Sequence, residues 1–246
     1  MTQLNGAVVI VEALSFTYPD GQRALDGLNL AIRDGEKVGL IGANGAGKST
    51  LLLHLNGILP CSGPSTSLRA GGIRVLGMKV EKANLKAIRQ SVGLVFQNPD
   101  DQLFCPTVGD DVAFGPRQLR LPEAEVAARV EMSLAAVGLR DFEARSAFHM
   151  SFGEKKRVAI ATVLSMNPKV LALDEPTSNL DPRSRKELIR LLRQLGGTQI
   201  IASHDLDLVK TLCDRAVLLS KGKAVAEGAP EKILSDTALL EAHGLE

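Results

Sequence analysis

Apolar and polar positions change their spacing several times along this chain, and each change predicts an element. AVVIVEALSFTYP (7–19) is rich in β-branched and aromatic residues and predicts a strand, with PDGQ (19–22) as a turn. LDGLNLAIRDGEKVGLIG (25–42) predicts two further strands broken at a DG turn, and KSTLLLHLNGIL (48–59) a helix. CSGPSTSLRAGG (61–72), rich in Pro, Gly and Ser, is expected to be an exposed loop, and SVGLVFQ (91–97) a short apolar strand. From Pro99 to about Ser165 the spacing turns helical, most clearly in EAEVAARVEMSLAAVGL (123–139). A mainly helical subdomain, about 98–165, is therefore expected between strands of a single domain covering residues 1–246. KVLALDE (169–175) then predicts a buried strand, RSRKELIRLLRQL (183–195) an amphipathic helix, TQIIASHD (198–205) another strand and AVLLSKGKAVAEG (216–228) a hairpin. Strands alternating with helices imply an α/β fold, a mostly parallel sheet with helices packed on it.

Composition narrows the function classes. Hydrophobic residues make up 45% and charged residues 23% of the 246, which suits a globular protein with a substantial core. A net charge of +1 argues against a general nucleic-acid or membrane-surface binder. The N-terminus lacks a basic region before its apolar stretch, so no signal peptide is expected. No run approaches the ~20 apolar residues of a membrane helix. Cys61, Cys105 and Cys213 lie far apart without CxxC spacing and read as reduced, buried thiols of a cytosolic protein. The four histidines, His54, His149, His204 and His243, show no metal-ligand spacing.

The chemistry sits at strand ends. GANGAGKS (42–49) fits G-x-x-x-x-G-K-[ST] between a strand and a helix. Its glycines let backbone amides turn toward phosphate oxygens, Lys48 can reach the β- and γ-phosphates, and the Ser49 hydroxyl can bind Mg²⁺. VLALDE (170–175) ends an apolar strand in two acids: Asp174 suits a metal or its water, and Glu175 can polarise a hydrolytic water. Gln97 and His204 end two other strands and could share that sheet edge. Ser151 and Glu154 have the spacing of a capping box ahead of the apolar residues Val158, Ile160, Ala161 and Leu164.

In this order the motifs resemble the ATP-binding subunit of ABC transporters over essentially the full chain. The matching elements are Tyr18 (adenine-stacking loop), GANGAGKST (Walker A), Gln97 (Q-loop), MSFGE at 150–154 (signature), LALDE (Walker B), SNLD at 178–181 (D-loop) and His204 (switch histidine). The resemblance implies a P-loop ATPase core, a mixed sheet with helices, carrying a helical arm and working as a head-to-tail homodimer around two ATP molecules. It implies nucleotide contacts from Tyr18, Gly42, Asn44, Gly45, Ala46, Gly47, Lys48, Ser49 and Thr50, and contacts across the dimer from Ser151, Gly153, Glu154 and Asp181. Ser49, Gln97 and Asp174 would hold Mg²⁺, and Glu175, His204 and Gln97 would serve hydrolysis. The signature departs from the usual LSGGQ at Phe152 and Glu154.

NPDDQLFCPTVGDDVAFGPRQL (98–119) and MSFGEKKRVAIATVLSMNP (150–168) are most similar to the ATPases of energy-coupling-factor-type importers, and among these to cobalt or nickel uptake systems. This implies membrane-spanning partners, an energy-coupling and a substrate-binding component, and a peripheral location on the cytoplasmic face of the cell membrane. It also implies a cargo ion that this chain does not bind. A biotin- or riboflavin-type vitamin importer is the alternative. A non-transport ABC ATPase acting on ribosomes or DNA is the less expected alternative: the ribosomal type carries two such domains where this sequence shows one, and the DNA-repair type needs a long coiled coil for which Gln97 to Ser151 leaves no room.

Overall fold

The computed structural model describes residues 6–60 and 66–245, without the side chains of 66–71. Strand β1 (Ala7–Thr17) pairs antiparallel with β2 (Arg23–Arg33) across the Pro19–Gln22 turn. Next come β3 (Lys37–Ile41), α1 (Lys48–Leu55), β4 (Thr66–Val75) and β5 (Met78–Lys79). The described part of the stretch expected as an exposed loop is not one: from Thr66 onward it is strand, with Phe16 opposite Thr66 and Val9 opposite Val75. Its Gly and Ser content carries no strand signal, and pairing with the long β1 overrides it. Cys61 and the rest of 61–65 lie outside the described residues.

Helix α2 (Leu85–Ser91) leads into β6 (Val92–Val95), shorter than expected because Ser91 closes the helix. Three helices follow, α3 (Val108–Gln118), α4 (Glu123–Ala136) and α5 (Phe152–Leu164). The chain then alternates through β7 (Val170–Asp174), α6 (Pro182–Gln194), β8 (Thr198–Ala202) and α7 (Leu206–Leu212). The hairpin β9 (Arg215–Ser220) and β10 (Lys223–Gly228) and the short helices α8 (Pro230–Leu234) and α9 (Thr237–Ala242) complete it.

Among the described residues the strands form two sheets, an antiparallel one in the order β2-β1-β4-β5 and a larger one in the order β10-β9-β3-β8-β7-β6. In the second, β9, β3, β8, β7 and β6 are parallel and only β10 runs against its neighbour. Both faces of that sheet are covered, which is why its strands read as unbroken apolar runs. Val170, Ala172, Ile200 and Ala202 face the antiparallel sheet and α1. Leu171, Leu173 and Ile201 face α3 to α7. Because the central strands are parallel, β3, β6, β7 and β8 deliver their carboxyl ends to one edge, the place where open α/β sheets bind ligands.

Candidate active site

The turn after β3 carries the glycine-rich motif. Gly42 has φ 152° and Gly47 φ 107°. A Cβ on Gly42 would lie 2.3 Å from the Leu219 carbonyl oxygen, and one on Gly47 2.6 Å from that of Ala24. Only glycine fits there, so the amides of the turn stay accessible while β9 and β2 brace it from behind. Lys48 opens α1 and is buried; its Nζ donates to the carbonyls of Gly42 at 2.7 Å and Ala43 at 3.4 Å. The same Nζ lies 3.7 Å from Glu175 Oε1. Asn44 and Gly45 are exposed at the crest, and Ala46 is buried beneath it.

Asp174 ends β7. Burial pushes its carboxyl pKa up, against a hydrogen bond from Ser49 and the nearby Lys48 and Lys156 ammonium groups. Its Oδ1 is buried without a hydrogen-bond partner. A buried, unpartnered carboxylate oxygen beside a serine hydroxyl fits a divalent cation, whose charge would offset the desolvation. Glu175 follows at φ 44°, a conformation that a non-glycine residue holds only at a cost of order 1–3 kcal/mol. Its carboxylate is fixed from three directions. Ser203 Oγ donates to Oε2 at 3.1 Å, the His204 amide to Oε1 at 3.1 Å, and His204 Nδ1 lies 2.9 Å from Oε2. The structure therefore brings Walker A, Asp174, Glu175 and His204 into one group. Tyr18 reaches it as well, its hydroxyl 3.0 Å from Thr50 Oγ1 and its ring edge-on to Phe16.

The signature forms the start of α5 as expected from the Ser-x-x-Glu spacing. The Ser151 amide donates to Glu154 Oε2 at 2.8 Å, the Ser151 hydroxyl to the same oxygen at 2.7 Å, and the Glu154 amide to Ser151 Oγ at 3.4 Å. The Ser151 hydroxyl bond, ahead of its amide, holds the Glu154 carboxyl below the usual range. Phe152 is helical, outside the positive-φ region. Gly153 lies against Ser184 of α6, where a Cβ would meet Ser184 Oγ at 2.9 Å. Asp181 caps α6 through the amides of Arg183 at 2.9 Å and Ser184 at 3.1 Å. Ser151 and Asp181 are bonded to the first turns of their own helices, and the Gln97 side chain is exposed.

Sequence reasoning missed Lys156, which is only 1% exposed. Its Nζ donates to the carbonyls of Gln97 at 2.6 Å and Glu175 at 2.9 Å. Burial pushes its pKa down to about 8, with Asp174 and Glu175 opposing. The signal was present: Lys156, Ala159, Ile160 and Val163 share one buried stripe at helical spacing. Asp205 was also missed. It caps α7, accepts from Arg185 Nε and Nη2 at 2.8 Å each, and holds the turn after His204 against α6. Burial drives the thiols up, Cys105 to about 11 and Cys213 to about 12, so both stay protonated at neutral pH.

A glycine-rich turn opening a helix, a buried lysine within it and an acid-ended strand beside it define a P-loop nucleotide hydrolase. The family model for ABC transporters matches residues 25–178. The energy-coupling factor transporter ATP-binding protein EcfA of Methanothermobacter thermautotrophicus is 50% identical over 232 residues, 92% of this chain and 72% of that protein. Among solved structures, cbiO1 from Clostridium perfringens, part of the ABC transporter complex cbiONQ, superposes with a TM-score of 0.82 at 38% identity, covering 98% of this chain and 96% of that one. The ATP-binding cassette MJ0796, in a dimeric post-hydrolysis state bound to ADP and Pi, gives 0.76 at 26% identity over 90% and 98%. The chain belongs to the ABC transporter family and is an ATP hydrolase. Among the described residues no helix is long and apolar enough to cross a membrane.

Proposed function

We propose that this chain is the ATP-hydrolysing subunit of an energy-coupling-factor-type importer that takes up cobalt, with nickel as the second choice. It acts as a head-to-tail homodimer bound to membrane-spanning partners on the cytoplasmic face of the cell membrane. It is one domain, residues 1–246, whose helical subdomain (about 98–165) faces those partners. The observation that carries the hydrolytic part is the Glu175 carboxylate, held by Ser203 and His204 and 3.7 Å from the Walker A lysine.

The residues divide the work as follows. The amides of Gly42 to Ser49 receive the phosphates, with Asn44, Gly45 and Ala46 at the crest. An arriving phosphate oxygen accepts a hydrogen bond from the Lys48 Nζ–H that is not on the Gly42 and Ala43 carbonyls. That separates Lys48 from Glu175 and lets Oε1, which already accepts from the His204 amide, accept from a water on the side Lys48 leaves. His204 and Ser203 keep the carboxylate aimed while this happens. Ser49 and Asp174, with Gln97 approaching from β6, would hold magnesium, which when bound neutralises charge between the β- and γ-phosphates. Tyr18, fixed through Thr50, offers its ring to the adenine. In the dimer, Ser151, Gly153, Glu154 and Asp181 meet the nucleotide of the other subunit.

Coupling to the membrane runs through the segment from Gln97 to Arg117. Phe104 and Phe114 support this: both are exposed, and they stack edge-to-face with centroids 5.0 Å apart, a paired apolar surface at the entrance to the helical arm. Phe104→Ala or Phe114→Ala should impair complex assembly or transport while ATP turnover of the isolated subunit stays near the parent value. Equal losses in both assays would point to misfolding and remove this role.

The cargo assignment rests on similarity, through cbiO1 and EcfA. Among the described residues no group of three or more His, Cys, Asp or Glu side chains is placed to hold a metal ion. Deleting the gene should lower cellular cobalt under limitation, read by elemental analysis, and the tagged chain should carry membrane subunits with it on purification. Normal metal content with a vitamin-uptake defect moves it to the vitamin importers. Co-purification of ribosomes or DNA instead would end the transport reading.

A further inference from the structure

The signature helix carries a second device inside the chain. Lys156 lies one turn beyond Phe152, and its Nζ sits 5.6 Å from the Phe152 ring centroid, within cation–π range. Buried there, the ammonium spends two donors on backbone carbonyls from two different strand ends, Gln97 at 2.6 Å and Glu175 at 2.9 Å. The Glu175 carbonyl also accepts from Ser178 Oγ at 2.8 Å. These bonds hold the peptide of a residue whose φ of 44° needs outside support. The segment after β6 is tied to α5 in two further places. Gln102 Nε2 donates to the Ala159 carbonyl at 2.8 Å, and Lys155 Nζ to Asp100 at 2.7 Å.

We propose that Lys156 is a positioning residue for ATP hydrolysis, holding the Gln97 and Glu175 peptides so that the Glu175 carboxylate stays aimed at the attacking water. This rests on Glu175 being the water-polarising base. Its consequence is mechanical. The helix that would meet the partner's nucleotide at Ser151 also holds the peptide that carries this chain's own Glu175 carboxylate, so a shift of α5 is felt at both sites. Burying a lysine is costly, and an apolar residue would pack the stripe as well as Ala159, Ile160 and Val163 do. What an apolar residue lacks is the pair of donors.

The test is the steady-state kinetics of the full chain with Lys156→Met and Lys156→Gln, with Glu175→Gln alongside. A glutamine amide keeps two N–H donors without the charge. Displacing a reacting group by about 1 Å can cost about 10²-fold. Lys156→Met should therefore lower kcat by about that factor with the KM for ATP and the melting temperature near the parent values. Lys156→Gln should recover most of the loss. A methionine variant at the parent kcat overturns the proposal. So does one that fails to fold, or a pair of variants whose kcat, KM and melting temperature fall together, since these outcomes make the lysine merely structural. If Glu175→Gln hydrolyses ATP at the parent rate, the assignment of the base fails, independently of Lys156.

Discussion

Glu175→Gln should lower ATP turnover by about 10²–10⁴-fold while leaving nucleotide binding in place. The substitution is close to isosteric, and an amide oxygen in the place of Oε2 can still accept from Ser203 Oγ, 3.1 Å away, and from the His204 amide, 3.3 Å away. What is lost is the negative charge and basicity that polarise a water. Lys48 keeps its carbonyl partners in the Walker A turn, and its attraction to a triphosphate rises once the carboxylate 3.7 Å away is neutral. The variant should therefore accumulate as an ATP-bound dimer, detectable by light scattering with and without ATP, alongside a phosphate-release assay. Lys48→Ala should give the opposite pattern, with weakened nucleotide binding and no dimer at any practical ATP concentration. Parent-rate hydrolysis by Glu175→Gln would take the base from this residue and leave His204 as the nearest group able to move a proton.

The difference between these two variants follows from features that were legible in the sequence. GANGAGKS and VLALDE each combine a fixed spacing with the flanking element that the chemistry needs, a helix after the first and an apolar strand before the second. The parallel sheet brings them together whatever the rest of the chain does. The hairpin from Ala216 and the capping box at Ser151 were legible for the same reason, because each rests on contacts a few residues apart. What was hidden depends on long-range placement. Residues 66–72 are strand because β1 runs alongside them, a fact that their glycines and serines do not carry. Lys156 stands at helical spacing with Ala159, Ile160 and Val163, which marks its face of the helix, but the carbonyls it bonds come from Gln97 and Glu175, distant in sequence. Asp205 read as the end of a strand, and only the approach of Arg185 across α6 makes it a brace for the switch histidine. Gln97 shows the converse: its motif was legible, but in the chain alone its side chain is exposed and only its backbone is engaged.

Ser151→Arg should abolish ATP-driven dimerisation while the monomer still binds ATP. Ser151 is exposed and caps α5, so losing the cap costs about 0.5–2 kcal/mol, small beside the ~5–15 kcal/mol by which domains are usually stable. Folding and the Walker A turn should thus survive. The new side chain, however, fills the space in front of the helix N-terminus, where free amides and the helix dipole would receive the partner's γ-phosphate. Glu154 tests the same idea from the other side. Its carboxylate holds the Ser151 hydroxyl at 2.7 Å, so a phosphate must take that donor from a charged acceptor. A neutral amide oxygen is a weaker competitor, since hydrogen bonds to an ionised group are roughly twice as strong. Glu154→Gln should therefore keep most of the parent activity, with dimerisation at the same or a lower ATP concentration. Phe152 should be tolerated because its backbone is helical and its ring faces Lys156 rather than the phosphate. The decisive measurement is dimerisation with ATP of Glu175→Gln and of Glu175→Gln/Ser151→Arg, with monomer binding followed by a fluorescent nucleotide. If the double variant dimerises as readily as the single one, the start of α5 is a helix cap and nothing more, and the nucleotide site is complete within one chain.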